Sequence, residues 1–186
     1  MGLIAKIKEL FSAKQYILRA MEEQDAQYKR YAELSPAGLS ELADGELYSA
    51  VLYRMDTALR ARDDLPKKAG PAERAARLND PGRAVYVASE LDSEMAEGGL
   101  SAFFLDDTRT LALQVSDSLR EIGAQEHRAL FDAFVLDHQV DLTRPRAFAQ
   151  DPDNDQAFET FDRAYQDLPP LEGMVVSYIR QHITEF

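Results

Sequence analysis

The residues in this chain that could take part in chemistry are mostly carboxylates, and many of them recur at helical spacing. Two sets of three share a four-then-three spacing: Glu90, Glu94 and Glu97, and Asp155, Glu159 and Asp162. Residues at this spacing share one face of a helix, where like charges cost about 0.2–0.5 kcal/mol per pair. Because carboxylates about 5–6 Å apart along a helix are spaced like successive phosphates, a basic DNA-binding surface could bind them. We predict a partner-binding acidic face that also includes Asp106 and Asp107; the alternative is an ordinary solvated surface.

A further acidic segment, Asp151 to Asp155, has part of the spacing of a calcium-binding loop. Counting from Asp151, Asp153 and Asp155 take the third and fifth positions, and Asp162 takes the twelfth. The sixth position needs a glycine for its sharp turn but is Gln156, and the twelfth favours Glu. We therefore expect Asp153 or Asp155 to cap a helix, and we predict no bound metal and no cofactor.

The common motifs of enzyme active sites are missing from the sequence. It contains no Gly-rich phosphate loop, no Gly-x-Ser-x-Gly and no His-Glu-x-x-His. The three histidines, His127, His138 and His182, lie on separate predicted helices, and we expect each at the surface or at a helix end. We predict a protein without enzymatic activity, with a calcium-binding or enzymatic helical domain as an alternative.

The acidic residues must be positioned by helices that meet at a glycine corner. The helix that carries Glu90 is predicted to end at Gly98 and Gly99, because glycine adopts the positive φ values that terminate helices. Phe103 and Phe104 follow at once, and their spacing from the preceding apolar residue predicts a short buried helix. These four residues define a structural corner.

Helical periodicity accounts for most of the remaining chain, and no segment alternates long enough to be a strand. We predict an all-α fold, a compact bundle of six to eight helices. Residues 1–34 are predicted to form a long N-terminal helical arm, whose heptad-like spacing suits either dimer formation or packing on its own domain. Residues 35–186 are predicted to form a single all-helical acidic domain.

The negative charge is concentrated in the second half of the chain. Residues 1–86 contain 14 Lys and Arg against 13 Asp and Glu, whereas residues 87–186 contain 7 against 20. Such a surface repels nucleic acid and anionic membranes and attracts basic partners. The sequence has no cysteine and no apolar run long enough to span a membrane. We expect a cytoplasmic protein that binds neither nucleic acid directly nor membranes.

Several segments resemble, in order, the DNA-mimic-protein family. Residues 87–104 are similar to the family's Glu, Asn-Gly-Gly and aromatic-rich corner, and residues 118–124 to its Leu-x-x-Ile-Gly-Ala helix ending. Residues 161–165, Phe-Asp-x-x-Tyr, and the terminal Tyr-Ile-Arg-Gln-His at 178–182 complete the set. The resemblance extends from about Leu39 to the C-terminus.

The resemblance implies an acidic, all-helical homodimer that binds another protein. The best-described member is a DNA mimic that occupies the DNA-binding surface of a transcription regulator. No active-site residue is implied, and Glu97 and Leu100 stand where the family has Asn and an aromatic residue. The predicted partner is thus a basic, DNA-binding protein; the alternative is that the same acidic face inhibits a basic nuclease toxin, as an immunity protein does.

Overall fold

The fold is helical throughout the part of the chain that the computed structural model describes, which is residue 24 and residues 26–186. The predicted all-α class is confirmed. None of the helices in this part has the length and apolar character needed to cross a membrane. The helices are α1, described over residues 26–33, and α2 Pro36–Ser40, α3 Asp44–Arg60, α4 Pro71–Ala75, α5 Asp80–Glu97, α6 Gly99–Leu105, α7 Val115–Glu121, α8 Gln125–Asp137, α9 Pro145–Ala149, α10 Asp155–Gln166 and α11 Leu171–Gln181. Short 3₁₀ helices cover Asp107–Gln114, Pro152–Asn154 and Ile183–Glu185.

The helices of this part number eleven rather than six to eight because several short ones lie between the long ones. The helices α2, α4 and α9 have five residues each, and each begins with a proline: Pro36, Pro71 and Pro145. The proline ring fixes φ at a helical value, and its missing N–H costs nothing in the first turn. The segments between the long helices therefore contain single helical turns.

The central element is α5, which packs against α6, α7 and α11. Residues 84–89 of this helix are all buried, including the polar Ser89. A helix that is buried on most of its circumference lies inside the protein rather than on its surface. The carboxylates of α5 therefore lie on a helix that has little solvent-exposed surface.

The described end of α1 packs on α3. Tyr31 is buried, and the ring of Tyr28 stacks on that of Tyr53 with their centroids 4.5 Å apart. Arg54 donates a hydrogen bond of 2.9 Å to the Leu34 carbonyl. Most of the predicted N-terminal arm lies outside the described residues, so the arm and its boundary with the acidic domain stay predictions.

The last α-helix joins the beginning of the described fold through Arg180. Its guanidinium donates to the backbone carbonyls of Ser40 and Leu42, at 3.1 and 2.9 Å, and pairs with the Asp44 carboxylate at 2.6 Å. Because α11 also packs on α3 and α5, the C-terminal helix holds these two long helices together.

Candidate partner-binding acidic surface

The glycine corner is present where the sequence predicts it, and it is completed by a carboxylate from α10. Helix α5 ends at Glu97, and Gly99 has a φ of +75°, a left-handed conformation that favours glycine. The backbone N–H of Leu100 donates to Asp162 Oδ1 at 3.0 Å. A Cβ atom on Gly99 would lie 2.1 Å from Asp162 Oδ2. Asp162 therefore caps the start of α6 at a position that only glycine leaves open.

The aromatic half of the corner fixes α10 against α6. Phe103 and Phe104 are fully buried, and the Phe104 ring meets the edge of Phe158 with centroids 6.1 Å apart. Since Leu100 contacts Asp162 and Phe104 contacts Phe158, the two helices run antiparallel. Asp155 and Glu159, on the same helix as Asp162, thus extend alongside α6.

Three of the eight predicted carboxylates, Glu90, Glu94 and Asp162, are half-buried. Burial raises the pKa of Asp162, and the Leu100 amide opposes this shift. Burial also raises the pKa of Glu90, against the opposing effects of the Tyr86 hydroxyl and the Arg74 guanidinium. The Glu94 carboxylate accepts a hydrogen bond of 3.0 Å from the Thr108 hydroxyl. These carboxylates contribute negative potential, but their oxygens are partly occupied by the protein itself.

The other five carboxylates of the predicted face are exposed, and we call them the exposed set: Glu97, Asp106, Asp107, Asp155 and Glu159. Two of the set pair with nearby arginines, Asp107 with Arg109 at 3.1 Å and Glu159 with Arg163 at 3.2 Å. The four-then-three spacing of the acidic residues did not indicate the ion pair with Arg163. This arginine lies four residues after Glu159, which is the ordinary separation of a helical ion pair.

Glu97, Asp106 and Asp155 form no ion pair with any other residue of the described chain. Glu97 is the last residue of α5, and Asp106 is the residue that follows α6. Neither helix has a basic residue in its last turn. Because the C-terminal end of a helix carries a partial negative charge, helix and carboxylate reinforce each other at both places.

The prediction that Asp153 or Asp155 caps a helix is wrong in position. Helix α10 begins after Asn154 without a side-chain cap, and it is Asp151 that accepts from the Asp153 amide, at the preceding 3₁₀ turn. Asp151 lies one residue before a proline, which is the usual place for an N-cap. Among the described residues, no three side chains of His, Asp or Glu are grouped as metal ligands would be.

One histidine is buried, contrary to the prediction. His138 and His182 follow the ends of α8 and α11, as expected, whereas His127 is only 1% exposed. Its ring meets the edge of Tyr165, whose hydroxyl donates to Asp92 at 2.9 Å. Sequence reasoning missed this contact because Asp92, His127 and Tyr165 are far apart in the chain. Burial lowers the pKa of His127, and the Asp92 and Glu126 carboxylates oppose the effect.

The fold and its surface together define the class of protein. It is an acidic helical domain with exposed carboxylates around a glycine corner. The family model described as DMP19-like protein matches residues 76–182, and the chain belongs to this family. The name DMP19 abbreviates DNA mimic protein 19. The match therefore confirms the resemblance to the DNA-mimic-protein family. The match begins later than Leu39, so α2 and α3 lie outside it. No curated protein and no solved structure matches the chain.

Membership in this family supports the prediction of a DNA-mimic protein. The family is not known as enzymatic. The matched residues carry nearly all of the charge imbalance, with 20 Asp and Glu against 9 Lys and Arg, out of a formal net charge of −12 for the chain. The family match and the acidic half of the chain therefore coincide.

Proposed function

We propose that this protein is a non-enzymatic protein-binding module that acts as a DNA mimic, occupying the basic surface with which a DNA-binding protein contacts DNA. The observation that carries the proposal is the coincidence of the family match with the acidic half of the chain. The partner is a DNA-binding protein such as a transcription regulator, and the mechanism is steric and electrostatic occlusion rather than catalysis.

The exposed set supplies the contacts, and the three inner carboxylates supply additional negative potential. Glu97, Asp106 and Asp155 are the strongest candidates because no intramolecular cation of the described chain neutralises them. Two of the three lie at the ends of helices, where the backbone adds negative charge. A lysine or arginine of the partner that otherwise contacts a DNA phosphate can pair with these carboxylates instead. Salt will screen such exposed contacts strongly.

Competition with duplex DNA is the sharpest test of this mechanism. The protein is immobilised and incubated with a lysate fraction that binds DNA-cellulose, and the retained proteins are identified. We expect retention at low salt, loss at high salt, and displacement by an excess of duplex DNA, because mimic and DNA use the same surface. A retained partner that binds duplex DNA and this protein at the same time would contradict occlusion.

Two triple variants with equal charge change show whether position matters. Glu97→Gln/Asp106→Asn/Asp155→Asn removes three negative charges from the exposed set, and the control Glu33→Gln/Glu41→Gln/Asp63→Asn removes three exposed charges outside the family match. If the exposed set contacts the partner, only the first variant loses capture, by about tenfold or more for three charge pairs worth roughly 0.5 kcal/mol each. Equal losses would mean that only net charge matters.

The homodimer implied by the family is part of the same proposal. Sedimentation equilibrium of the full chain measures its mass in solution directly. We expect a mass of twice 20.9 kDa at the concentrations used for capture. A monomeric mass under those conditions would remove the dimer and leave the DNA-mimic mechanism unaffected.

A further inference from the structure

Two leucines of the described fold are strongly exposed to solvent. Leu113, near the end of the 3₁₀ helix Asp107–Gln114, is 63% exposed, and Leu136, in the last turn of α8, is 76% exposed. No other large apolar side chain of the described residues is exposed to this degree. A single exposed leucine is ordinary, whereas exposed apolar side chains that form a continuous patch mark an interaction site.

The two leucines belong to one continuous patch, because Leu142 connects them. This residue lies between α8 and α9 and lines two adjoining hollows. It shares a hollow of about 450 Å³ with Leu113 and a hollow of about 550 Å³ with Val135 and Leu136. Val135 and Leu142 are themselves partly exposed. We call these four residues the apolar strip: Leu113, Val135, Leu136 and Leu142.

The end of the apolar strip at its first leucine is positively charged. Three arginines line the hollow there: Arg109, Arg144 and Arg146. Arg109 pairs with Asp107 at 3.1 Å, and Arg144 pairs with Asp141 at 3.4 Å. Exposed pairs of this kind are weak, so both arginines can be shared with another molecule. Arg146 forms no ion pair with any other described residue.

The other end of the apolar strip, at Leu136, is negatively charged. Asp132 lines the hollow there and pairs with Arg128 at 3.2 Å. Helix α8 ends at this point with Asp137, which is exposed, and it has no basic residue in its last turn. The C-terminal end of a helix carries a partial negative charge, so backbone and carboxylates act in the same direction.

We propose that the apolar strip is the surface through which two copies of this chain associate. An acidic partner would suit only the arginine end, and a basic partner would suit only the end of α8. A second copy suits both, because a strip with opposite charges at its ends is complementary to itself across a two-fold axis. With the axis near Leu142, Leu113 of one copy packs against Leu136 of the other. This inference rests on the homodimer of the proposed function and names its surface.

Sedimentation equilibrium of the full chain with single substitutions tests this surface. Leu113→Gln and Leu136→Gln should each raise the dissociation constant of the dimer by about tenfold or more, because each substitution occurs twice in a two-fold dimer. The control Ala58→Gln introduces the same side chain at an exposed position of α3 and should leave the constant unchanged. All three variants should keep the helical circular dichroism of the parent protein, since none of the three positions is buried.

Chemical cross-linking tests the two-fold arrangement itself, because the chain has no cysteine of its own. A short bismaleimide should join an equimolar mixture of Leu113→Cys and Leu136→Cys. Either variant alone should give little cross-linked dimer, because the axis places like positions at opposite ends of the interface. A mixture of Leu136→Cys with the control Ala58→Cys should also give little.

The outcomes separate this surface from the homodimer in general. A dimer that is unaffected by both glutamine substitutions would overturn the apolar strip as the interface and leave the homodimer standing. A monomeric parent protein would overturn both. Neither result bears on the DNA-mimic mechanism, which competition with duplex DNA tests by itself.

Discussion

The helices α5 and α10 carry their acidic residues at the same spacing but use them differently. In α5, which is covered on most sides, Glu90 and Glu94 contact Tyr86 and Thr108, and only Glu97 is exposed. In α10 the order is reversed, because Asp155 and Glu159 are exposed and the third carboxylate, Asp162, turns inward to the Leu100 amide.

The comparison teaches that helical spacing identifies a shared face but not what covers it. The two helices meet at the glycine corner, where the end of α5 and the inner carboxylate of α10 lie together. At the glycine corner, carboxylates that bond within the fold therefore lie next to carboxylates that are exposed to solvent. Substitutions at the corner should cost stability, and substitutions beyond it should cost only partner binding.

The largest expected effect is that of Gly99→Ala. The substitution imposes a left-handed conformation on a residue with a side chain, at about 1 kcal/mol, and places its Cβ against Asp162, at about 2 kcal/mol more. Urea unfolding should therefore show a loss of about 3 kcal/mol. Gly123→Ala is the matched control, because Gly123 has a φ of +80° but open space around a Cβ. Equal losses for the two variants would mean that Asp162 does not constrain the corner.

Removal of the carboxylate itself should have the next largest effect. Asp162→Ala leaves the Leu100 N–H without its acceptor and should lower the free energy of unfolding by about 1–2 kcal/mol, as the loss of a helix cap does. Asp162→Asn keeps an oxygen in place and should recover most of that loss. If both variants are as stable as the parent protein, the cap is not formed in solution.

His127 should change the stability of the fold only at acidic pH. Its ring packs on Tyr165 of α10, whose hydroxyl donates a hydrogen bond to Asp92 of α5. Burial favours the neutral ring and lowers the pKa below the ordinary 6.5, so the folded protein binds a proton less readily than the unfolded chain. This contribution to stability is complete above pH 6.5 and is lost as the pH falls through the lower pKa of the folded state.

Melting temperatures measured between pH 7.5 and pH 5 check this sign. The parent protein should lose stability over that range relative to His127→Gln, whose side chain does not titrate. The difference between the two proteins is the proper measure, because burial also raises the pKa of Glu90 and Asp162, which acts in the opposite direction. Parallel curves for the two proteins would exclude His127 as the group responsible.

The smallest effect on stability is expected in the exposed part of α10. Glu159→Ala breaks an exposed ion pair with Arg163, and such pairs contribute about 0–1 kcal/mol. Urea unfolding should place this variant close to the parent and well above Asp162→Ala, although the two residues are neighbours on one helix. A loss as large as that of Asp162→Ala would remove the distinction between the exposed and the inner carboxylates.

The features that sequence could predict are those that depend on a few adjacent residues. The end of α5 at Gly98 and the end of α7 before Gly123 follow from the backbone freedom of glycine, and both are found. The burial of His127 and Glu90 could not be predicted, because it depends on which distant helices cover them. The capping of α6 by Asp162 likewise joins residues 62 positions apart in sequence.

The bonds of Arg180 to Ser40 and Leu42 have a consequence for any attempt to work with part of this protein. A fragment limited to residues 76–182 would keep the arginine and lose both carbonyl acceptors, and it would expose the side of α11 that packs on α3. We expect such a fragment to aggregate or to melt at a much lower temperature. We therefore expect the smallest stretch that folds on its own to extend beyond residues 76–182, and truncation studies should retain the helices that precede this range.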